Sequence, residues 1–319
     1  MRMYFKILSC LFLTISIVGG CTQEKNKAEE PQKETEESQN VSRPKNFERV
    51  KAPLMLSNQQ EQAGYIITHF WDKFDFRDTM YCHANDIMDH AITEFLNYFP
   101  YATEKKIYEG VKKLLDSAEV KPVMYEFFFK KAEYFLYNPY SPMRNDEFYI
   151  PFLEHVIASQ KVQDVSKAQF KYQLTLAYRN RVGGKASDFT YMLNSGRTGN
   201  LYGISADYLL LMFYDPDCQE CKETVGMIKK STAISAAISD GRLKVLAVYT
   251  DENIDAWKKY LTEIPFTWIN GYDKPLSIRN QEIYDLKTIP LLYLLDKDKK
   301  VIFKDGSIGN IHNYLERNQ

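Results

Sequence analysis

Apolar residues in the first half of the chain recur with the period of an α-helix. One stripe consists of Ala84, Ile87, Met88, Ala91 and Phe95, and another consists of Ile107, Val111, Leu114 and Leu115. Residues three or four positions apart share one face of a helix, so each stripe predicts a helix with one buried face. Similar patterns fill residues 125–137, 148–158 and 167–181, with breaks at Pro100, Pro122, Pro139, Pro142 and Asp164. The pattern predicts a bundle of about six helices over residues 51–181.

Residues 125–137 read YEFFFKKAEYFLY and are aromatic around most of the predicted helix. A helix with apolar residues on most faces usually lies at the centre of its domain, and this is the interpretation that we favour. The alternative is an aromatic surface that binds an extended peptide or the second half of the chain.

The pattern changes near residue 182, where short apolar runs begin to alternate with helical segments. Predicted strands cover residues 190–193, 201–204, 209–214, 243–249, 266–269, 291–295 and 301–303, and predicted helices begin at residue 218 and cover residues 253–263 and 308–317. The first two strands form a hairpin that turns at residues 194–196, and the last two form an antiparallel edge. Such alternation predicts an α/β layer with partly parallel strands. The predicted fold class is therefore an all-helical bundle followed by an α/β domain over residues 182–319.

The composition agrees with two folded domains. A chain of 319 residues with 45% hydrophobic and 14% aromatic residues is long and apolar enough to bury two cores. The formal net charge is −1, which favours neither nucleic acid nor an acidic surface as a partner.

The amino terminus resembles a bacterial lipoprotein signal. Arg2 and Lys6 precede an apolar stretch over residues 7–18, which is too short for a transmembrane helix, and small residues then lead to Cys21. The resemblance implies that residues 1–20 are removed as a signal peptide and that Cys21 is acylated, which anchors the protein to a membrane. An ordinary secretory signal with a chance cysteine is the alternative. Either signal places the protein outside the cytoplasm, and the lipid anchor would hold it in the cell envelope on the periplasmic or cell-surface side.

The segment that follows the signal is almost entirely polar. Residues 21–50 are rich in Glu, Lys and Gln and nearly devoid of apolar residues. Because such a segment cannot bury a core, it is predicted to be a disordered tether that holds the folded domains clear of the membrane.

The folded part of the chain contains Cys82 and a C-x-x-C motif formed by Cys218 and Cys221. The motif follows the predicted strand 209–214 and begins a predicted helix. Two residues between cysteines on a first helical turn bring the sulfurs within bonding distance, with the first exposed and the second shielded. The unpaired N–H groups of the helix start favour a thiolate at the first cysteine. We therefore predict that Cys218 is the nucleophile and Cys221 the resolving thiol of a redox dithiol.

Two other interpretations of the cysteine pair are a zinc site and a structural disulfide without turnover. Structural zinc needs four nitrogen or sulfur ligands, and besides the pair the second half of the chain offers only His312 as a ligand of this kind. A different set, His83, Asp86 and His90 with Cys82 beside them, shares one helical ridge and could also hold a metal. We interpret this ridge as the polar border of a buried stripe, and Cys82 as a small buried hydrophobic residue. No metal and no cofactor are predicted.

From about residue 183 to residue 317 the chain resembles membrane-anchored TlpA-like thioredoxins, which reduce or exchange disulfides outside the cytoplasm. Three motifs carry the resemblance: residues 186–189 (ASDF), 213–221 (FYDPDCQEC) and 283–290 (IYDLKTIP). The resemblance implies a thioredoxin fold and a cis bond before Pro290 that faces the dithiol. It also implies that the backbone of Ile289 pairs with a bound peptide strand. A trans proline that merely opens a strand is the alternative. The helical domain resembles the uncharacterised helical region that precedes thioredoxin domains in some bacterial lipoproteins.

Several residues depart from the family pattern. Asp217 replaces the tryptophan before the first cysteine and is a third candidate substrate-binding residue, beside Ile289 and Pro290. Glu220 lies between the cysteines, and Met212 stands where cytoplasmic thioredoxin has a buried aspartate. Carboxylates beside the nucleophilic cysteine disfavour its thiolate. We therefore predict a dithiol that is reducing rather than strongly oxidising, with no assigned proton acceptor for the resolving thiol.

Together these features predict a lipid-anchored thiol-disulfide oxidoreductase that acts on exported proteins with cysteines and receives electrons from an unknown donor. The competing hypothesis is a non-catalytic binding or scaffold lipoprotein. In that case the helical domain recognises a partner and the thioredoxin-like module holds a static disulfide. Peroxide reduction is disfavoured, because peroxiredoxins need a threonine or serine where this chain has Asp215.

Overall fold

The computed structural model describes residues 44–318; the predicted signal peptide, Cys21 and most of the predicted tether lie outside the described residues. The helices of the first part are α1 (Gln59–His69), α2 (Asn85–Asn97), α3 (Glu104–Ala118), α4 (Pro122–Ala132), α5 (Asp146–Ala158) and α6 (Asp164–Tyr178). Short 3-10 turns lie at Thr79–His83 and Phe99–Tyr101, and a π-helical turn at Glu133–Tyr137 extends α4. The predicted helical bundle is confirmed. No helix within residues 44–318 is both long enough and apolar enough to cross a bilayer.

The end of the predicted tether is ordered, which corrects its boundary at residue 50. Phe47 stacks on Trp71 with 5.3 Å between the ring centroids. Arg49 forms an ion pair with Glu94 at 2.9 Å. Residues 44–50 therefore lie on the helical core, because one aromatic side chain in a polar stretch supplies enough apolar surface to attach it.

The two predicted apolar stripes meet in one core. Met88 and Phe95 of α2 and Val111 of α3 are buried in it. Gly110 allows α1 and α3 to approach closely, since a Cβ atom on this glycine would lie 2.3 Å from Cγ2 of Ile67. A side chain at this position would push the two helices apart.

The aromatic helix α4 lies at the centre of the bundle. Phe128 and Phe129 are buried among the other helices, while Glu126 and Lys130 occupy its exposed face. Tyr134 in the following turn is 56% exposed. Most of the aromatic surface is thus used for packing within the helical part, which agrees with the interpretation that we favoured.

The second part is a seven-stranded sheet in the order β2-β1-β5-β4-β3-β6-β7. The strands are β1 (Thr190–Leu193), β2 (Thr198–Asn200), β3 (Tyr208–Tyr214), β4 (Leu243–Tyr249), β5 (Ile269–Tyr272), β6 (Leu291–Asp296) and β7 (Val301–Lys304). The helices are α7 (Gln219–Lys230), α8 (Thr232–Ser239), α9 (Ile254–Tyr260), α10 (Ser277–Asn280) and α11 (Ile308–Arg317). β3 pairs parallel with β4 and antiparallel with β6. This mixed sheet with its helices confirms the predicted fold class.

Two predicted strands are displaced along the chain. The return strand of the hairpin is β2 rather than residues 201–204, because Gly196 closes a tight turn with a φ of +82° and pairing begins directly after it. The strand predicted over residues 266–269 begins only at Ile269, and Phe266 is 98% exposed. The pattern also did not predict α8 and α10.

Both faces of the sheet are covered, and the interior strand β3 is buried on both of them. Leu210, Met212 and Tyr214 point into the core beneath α7, α8 and α11. Leu209, Leu211 and Phe213 alternate with them and point into the core on the other face. The carboxyl end of this rigid strand leads directly to the cysteine motif.

The helical and thioredoxin-like parts meet at a buried ion-pair cluster. Asp146, the first residue of α5, lies 2.8 Å from Nζ of Lys304 and 3.5 Å from Nζ of Lys287. Lys287 also lies 2.8 Å from Asp285, and Lys304 donates to the carbonyl oxygen of Arg179 at 2.8 Å. Burial alone would raise the pKa of Asp146, but the two lysines outweigh it and hold the pKa below its ordinary value.

Candidate active site

The turn between β3 and α7 places the first cysteine at the start of a helix. The backbone N–H of Asp217 donates to the side chain of Asp215 at 2.8 Å, and the N–H of Cys218 donates to the Asp215 carbonyl at 3.2 Å. Cys218 is the N-cap residue of α7, and its Sγ accepts the N–H of Cys221 at 3.1 Å. A sulfur that accepts an N–H at a helix N-terminus is held where negative charge is stabilised.

The two thiols differ in exposure. Both are free, Cys218 is half-buried, and Cys221 is completely buried. Burial raises the pKa of the Cys221 thiol, and its contact with Cys218 and the charge of Asp215 raise it further. Cys221 therefore stays protonated at neutral pH, while Cys218 faces outward as the sulfur that can meet a partner.

The segment just before β6, the neighbouring strand of β3, completes the site. Because β6 pairs antiparallel with β3 and Leu291 lies opposite Phe213, the residues just before β6 lie beside the cysteine turn. The thiol of Cys218 donates to the carbonyl oxygen of Ile289 at 3.5 Å. The Ile289–Pro290 peptide bond is cis, the configuration that the resemblance implied.

The predicted carboxylates lie around the outer thiol. Glu220 is exposed and its Oε2 lies 3.7 Å from Sγ of Cys218. Asp217 is exposed in the turn just before Cys218. Beneath the pair, Met212 is completely buried. The structure thus brings Cys218, Cys221 and Ile289 together, with acidic side chains at the rim.

Comparison with known proteins covers both parts of the chain. Residues 20–180 match a domain of unknown function (DUF5106), and residues 206–301 match a family described as thioredoxin-like. The crystal structure of a thioredoxin-like protein from Bacteroides caccae ATCC 43185 is 40% identical. That match covers 86% of this chain and 100% of the other, with a TM-score of 0.82. The chain belongs to this family of thioredoxin-like proteins.

Two other solved structures each match 43% of this thioredoxin-like protein. The C-terminal domain of an uncharacterized protein from Bacteroides fragilis NCTC 9343 is 45% identical over 43% of this chain and 98% of that one, with a TM-score of 0.43. The thioredoxin domain of a thiol-disulfide oxidoreductase from Bacteroides vulgatus is 22% identical over 43% of this chain and 97% of that one, with a TM-score of 0.39. No curated protein matches the chain. The thioredoxin-like domain that the sequence predicted, preceded by a helical domain of unknown function, is confirmed.

A polar network beneath the dithiol of this thioredoxin-like protein was not found from the sequence. Tyr214, at the end of β3, donates its hydroxyl to Oδ1 of Asn270 at 2.9 Å, and Trp257 donates its ring N–H to the same oxygen at 3.2 Å. Burial raises the pKa of Tyr214, so its hydroxyl stays neutral. The one available signal for this network was the polar residue Asn270 within the short strand β5. Its partners lie on two other elements, so residue spacing alone could not pair them.

The side chains of the candidate metal ridge lie on the protein surface. His83, Asp86 and His90 are exposed, and within residues 44–318 no group of three or more His, Cys, Asp or Glu side chains is placed to hold a metal ion. Cys82 lies apart from the dithiol, with its sulfur 3.9 Å from Sδ of Met124, and burial raises its pKa. Cys82 is therefore a packed thiol that is separate from the candidate active site of this thioredoxin-like protein.

Proposed function

We propose that the protein is a thiol-disulfide oxidoreductase of the cell envelope that reduces or exchanges disulfides of exported proteins. One observation carries the proposal. Two free thiols lie on the first turn of α7, one half-exposed beside the Ile289 carbonyl and the other buried behind it. An exposed thiol that can attack, with a shielded thiol that can follow, is the arrangement that disulfide exchange requires.

The exchange proceeds in two balanced steps. The Cys218 thiolate attacks one sulfur of a substrate disulfide, and the other substrate sulfur leaves as a thiolate and takes up a proton. Cys221 then loses its proton to solvent and attacks Sγ of Cys218. The second substrate sulfur leaves as a thiol, and a Cys218–Cys221 disulfide remains. An external dithiol donor restores the reduced pair.

The raised pKa of the Cys221 thiol ensures that the step at Cys218 comes before the step at Cys221. A buried protonated thiol reacts slowly with solutes, so Cys221 acts only once Cys218 has bound a substrate sulfur. The acidic rim formed by Asp217 and Glu220 opposes an accumulation of negative charge at Cys218, which favours a reducing dithiol over a strongly oxidising one.

The surroundings of Cys218 support the proposed substrate class. We assign Ile289, Pro290 and Asp217 to substrate binding, with the backbone of Ile289 pairing with an extended segment of the partner. The near-neutral net charge of −1 gives no support for nucleic acid as a partner. Exported proteins with exposed cysteines fit both the site and the amino-terminal signal.

The location is part of the proposal and rests on residues 1–21. Acylation at Cys21 after removal of residues 1–20 would anchor the protein by lipid outside the cytoplasm. Metabolic labelling with an alkyne fatty acid tests the anchor. We expect label on the wild type and none on Cys21→Ser, and equal labelling of the two would contradict lipidation at this residue.

The substrate class is tested by trapping. Cys221→Ser cannot carry out the second step, so we expect it to accumulate mixed disulfides between Cys218 and exported proteins in its own cell envelope. Non-reducing electrophoresis followed by mass spectrometry identifies the adducts, which must disappear with reductant.

Matched variants make the trapping result specific. Cys218→Ser combined with Cys221→Ser should form no adducts, whereas Cys82→Ser combined with Cys221→Ser should form as many as Cys221→Ser alone. If Cys221→Ser forms no adducts, or forms them equally without Cys218, the proposed exchange is wrong. A binding or scaffold lipoprotein would then be favoured.

A further inference from the structure

The segment that presents Ile289 to the nucleophilic thiol is held by the helical part of the chain. Arg144, in the loop before α5, donates to the hydroxyl of Thr288 at 2.6 Å. The preceding Lys287 lies 3.9 Å above the ring of Tyr137, in addition to its contact with Asp146. The two residues directly before Ile289 are therefore both fixed by the helical part.

Arg144 contacts two segments of the thioredoxin-like part, the residues before Pro290 and the turn after β7. Besides Thr288, its guanidinium forms an ion pair with Asp305 and donates to the carbonyl of Pro139 at 3.2 Å. The turn that contains Asp305 is itself attached to the start of β6, because the N–H of the next residue, Gly306, donates to the Leu292 carbonyl at 3.1 Å.

The side chain of Arg144 is only 13% exposed. A buried guanidinium with several fixed partners holds its neighbours more rigidly than a flexible ammonium would.

Space for movement exists beside this contact. A cavity of about 550 Å³ is lined by Arg144, Lys287, Thr288 and Leu291, among other residues of both parts. Without the arginine, the segment before β6 could shift into this space instead of staying beside the cysteine turn. The position of the Ile289 carbonyl, 3.5 Å from Sγ of Cys218, depends on that segment.

We infer that Arg144 is a positioning residue of the thiol site, an inference that rests on the proposed function. Through Thr288 it fixes the Ile289 backbone where a substrate strand pairs and where the carbonyl meets the Cys218 thiol. The helical domain thereby forms part of the substrate-binding site of the thioredoxin-like domain. An ordered binding segment loses less freedom when the substrate binds, so this contact strengthens substrate binding.

The test removes the contact in two ways. Arg144→Met keeps most of the aliphatic bulk but loses the bonds to Thr288 and Asp305, and Thr288→Val removes only the accepting hydroxyl.

The matched control is Arg179→Met, because Arg179 also joins the two parts. It donates to the Gln281 carbonyl at 3.2 Å and lies 3.6 Å from the Glu282 carboxylate. Its guanidinium bonds residues 281 and 282, which lie before the segment 287–290.

The readouts are KM and kcat for reduction of insulin disulfides with dithiothreitol as electron donor, and the pH profile of iodoacetamide alkylation at Cys218. For Arg144→Met we expect KM to rise about 10-fold with a smaller change in kcat, because among the lost bonds the single charge-assisted bond to Thr288 is the one that orders the binding segment. For Thr288→Val we expect a smaller rise in the same direction. Both variants should shift the Cys218 alkylation profile, and Arg179→Met should leave both readouts near the wild-type values.

The possible failures can be told apart. If wild type does not reduce insulin, the proposed function fails, and the alkylation profile of Cys218 still tests the positioning role. If wild type is active but Arg144→Met behaves like Arg179→Met in both readouts, the inference about Arg144 is overturned. Equal losses in Arg144→Met and Arg179→Met would likewise contradict it, because they would indicate general loosening of the two parts. An Arg144→Lys variant with the wild-type KM but an altered Cys218 alkylation profile would also contradict it.

Discussion

Replacing Asp146 with alanine is expected to lower the free energy of unfolding by about 3 kcal/mol. Asp146 is almost fully enclosed between the two parts of the protein, and it balances Lys287 and Lys304 at the same time. Its removal leaves two buried lysine ammonium groups without the carboxylate that neutralised them. The loss lies at the lower end for a buried pair, because Lys287 keeps Asp285 and Lys304 keeps the Arg179 carbonyl as partners. Urea unfolding followed by tryptophan fluorescence measures the difference.

The control for this prediction is Asp255→Ala. Asp255 lies in the first turn of α9, as Asp146 lies in the first turn of α5, but it is exposed. We expect this variant to lose less than about 1 kcal/mol, the contribution of an acid near a helix N-terminus. Equal losses in the two variants would contradict the importance of the buried cluster.

The effect of Asp146 depends on pH with a defined sign. The two lysines hold its pKa below the ordinary value in the folded protein, so its stabilising contribution is complete above about pH 4, the unfolded pKa. The contribution is lost as the pH falls through the lower folded pKa. The difference in stability between wild type and Asp146→Ala should therefore shrink below about pH 4 and stay constant between about pH 5 and pH 7.

The periodicity of the sequence predicted the elements that bury a continuous apolar stripe or strand. Helices α2 and α3, and strands β3 and β4, follow directly from such patterns. The return strand β2 was placed too late, because its position is set by the turn at Gly196 and not by apolar residues. Turn geometry acts on the backbone, so it leaves little trace in the hydrophobic pattern.

The contact between the two parts could not be predicted in the same way. Asp146 and Lys304 are separated by more than a hundred residues, and each looks like an ordinary surface charge in the sequence. Arg144 and Thr288 are likewise far apart in the sequence and come together only in the folded chain. Paired charges between distant elements have no periodic signature, so a sequence pattern identifies the domains but not how they hold each other.

The candidate site was predictable where neighbouring residues carry it. The C-x-x-C spacing and the preceding strand were enough to predict that Cys218 begins a helix and that Cys221 lies behind it. The approach of Ile289 came from resemblance to a family, since only the pairing of β3 with β6 brings it to the thiol. Asn270 and its two donors were missed, because the three residues lie on separate elements.

Replacing Cys218 with serine is expected to abolish catalysis of disulfide reduction. Serine keeps the N-cap geometry at the start of α7, because its hydroxyl can accept the N–H of Cys221 as the sulfur does. A hydroxyl is far less acidic than a thiol and does not form disulfides, so the first step of the exchange is lost while the fold is retained. Cys82→Ser is the matched control, since Cys82 packs against Met124 and away from the dithiol.

The most direct measurement is therefore the rate at which dithiothreitol reduces insulin in the presence of wild type, Cys218→Ser or Cys82→Ser. The account predicts that wild type and Cys82→Ser accelerate the reaction equally, and that Cys218→Ser gives the rate of dithiothreitol alone. If Cys218→Ser accelerates insulin reduction as much as wild type does, the account is contradicted. It is also contradicted if wild type does not accelerate the reaction.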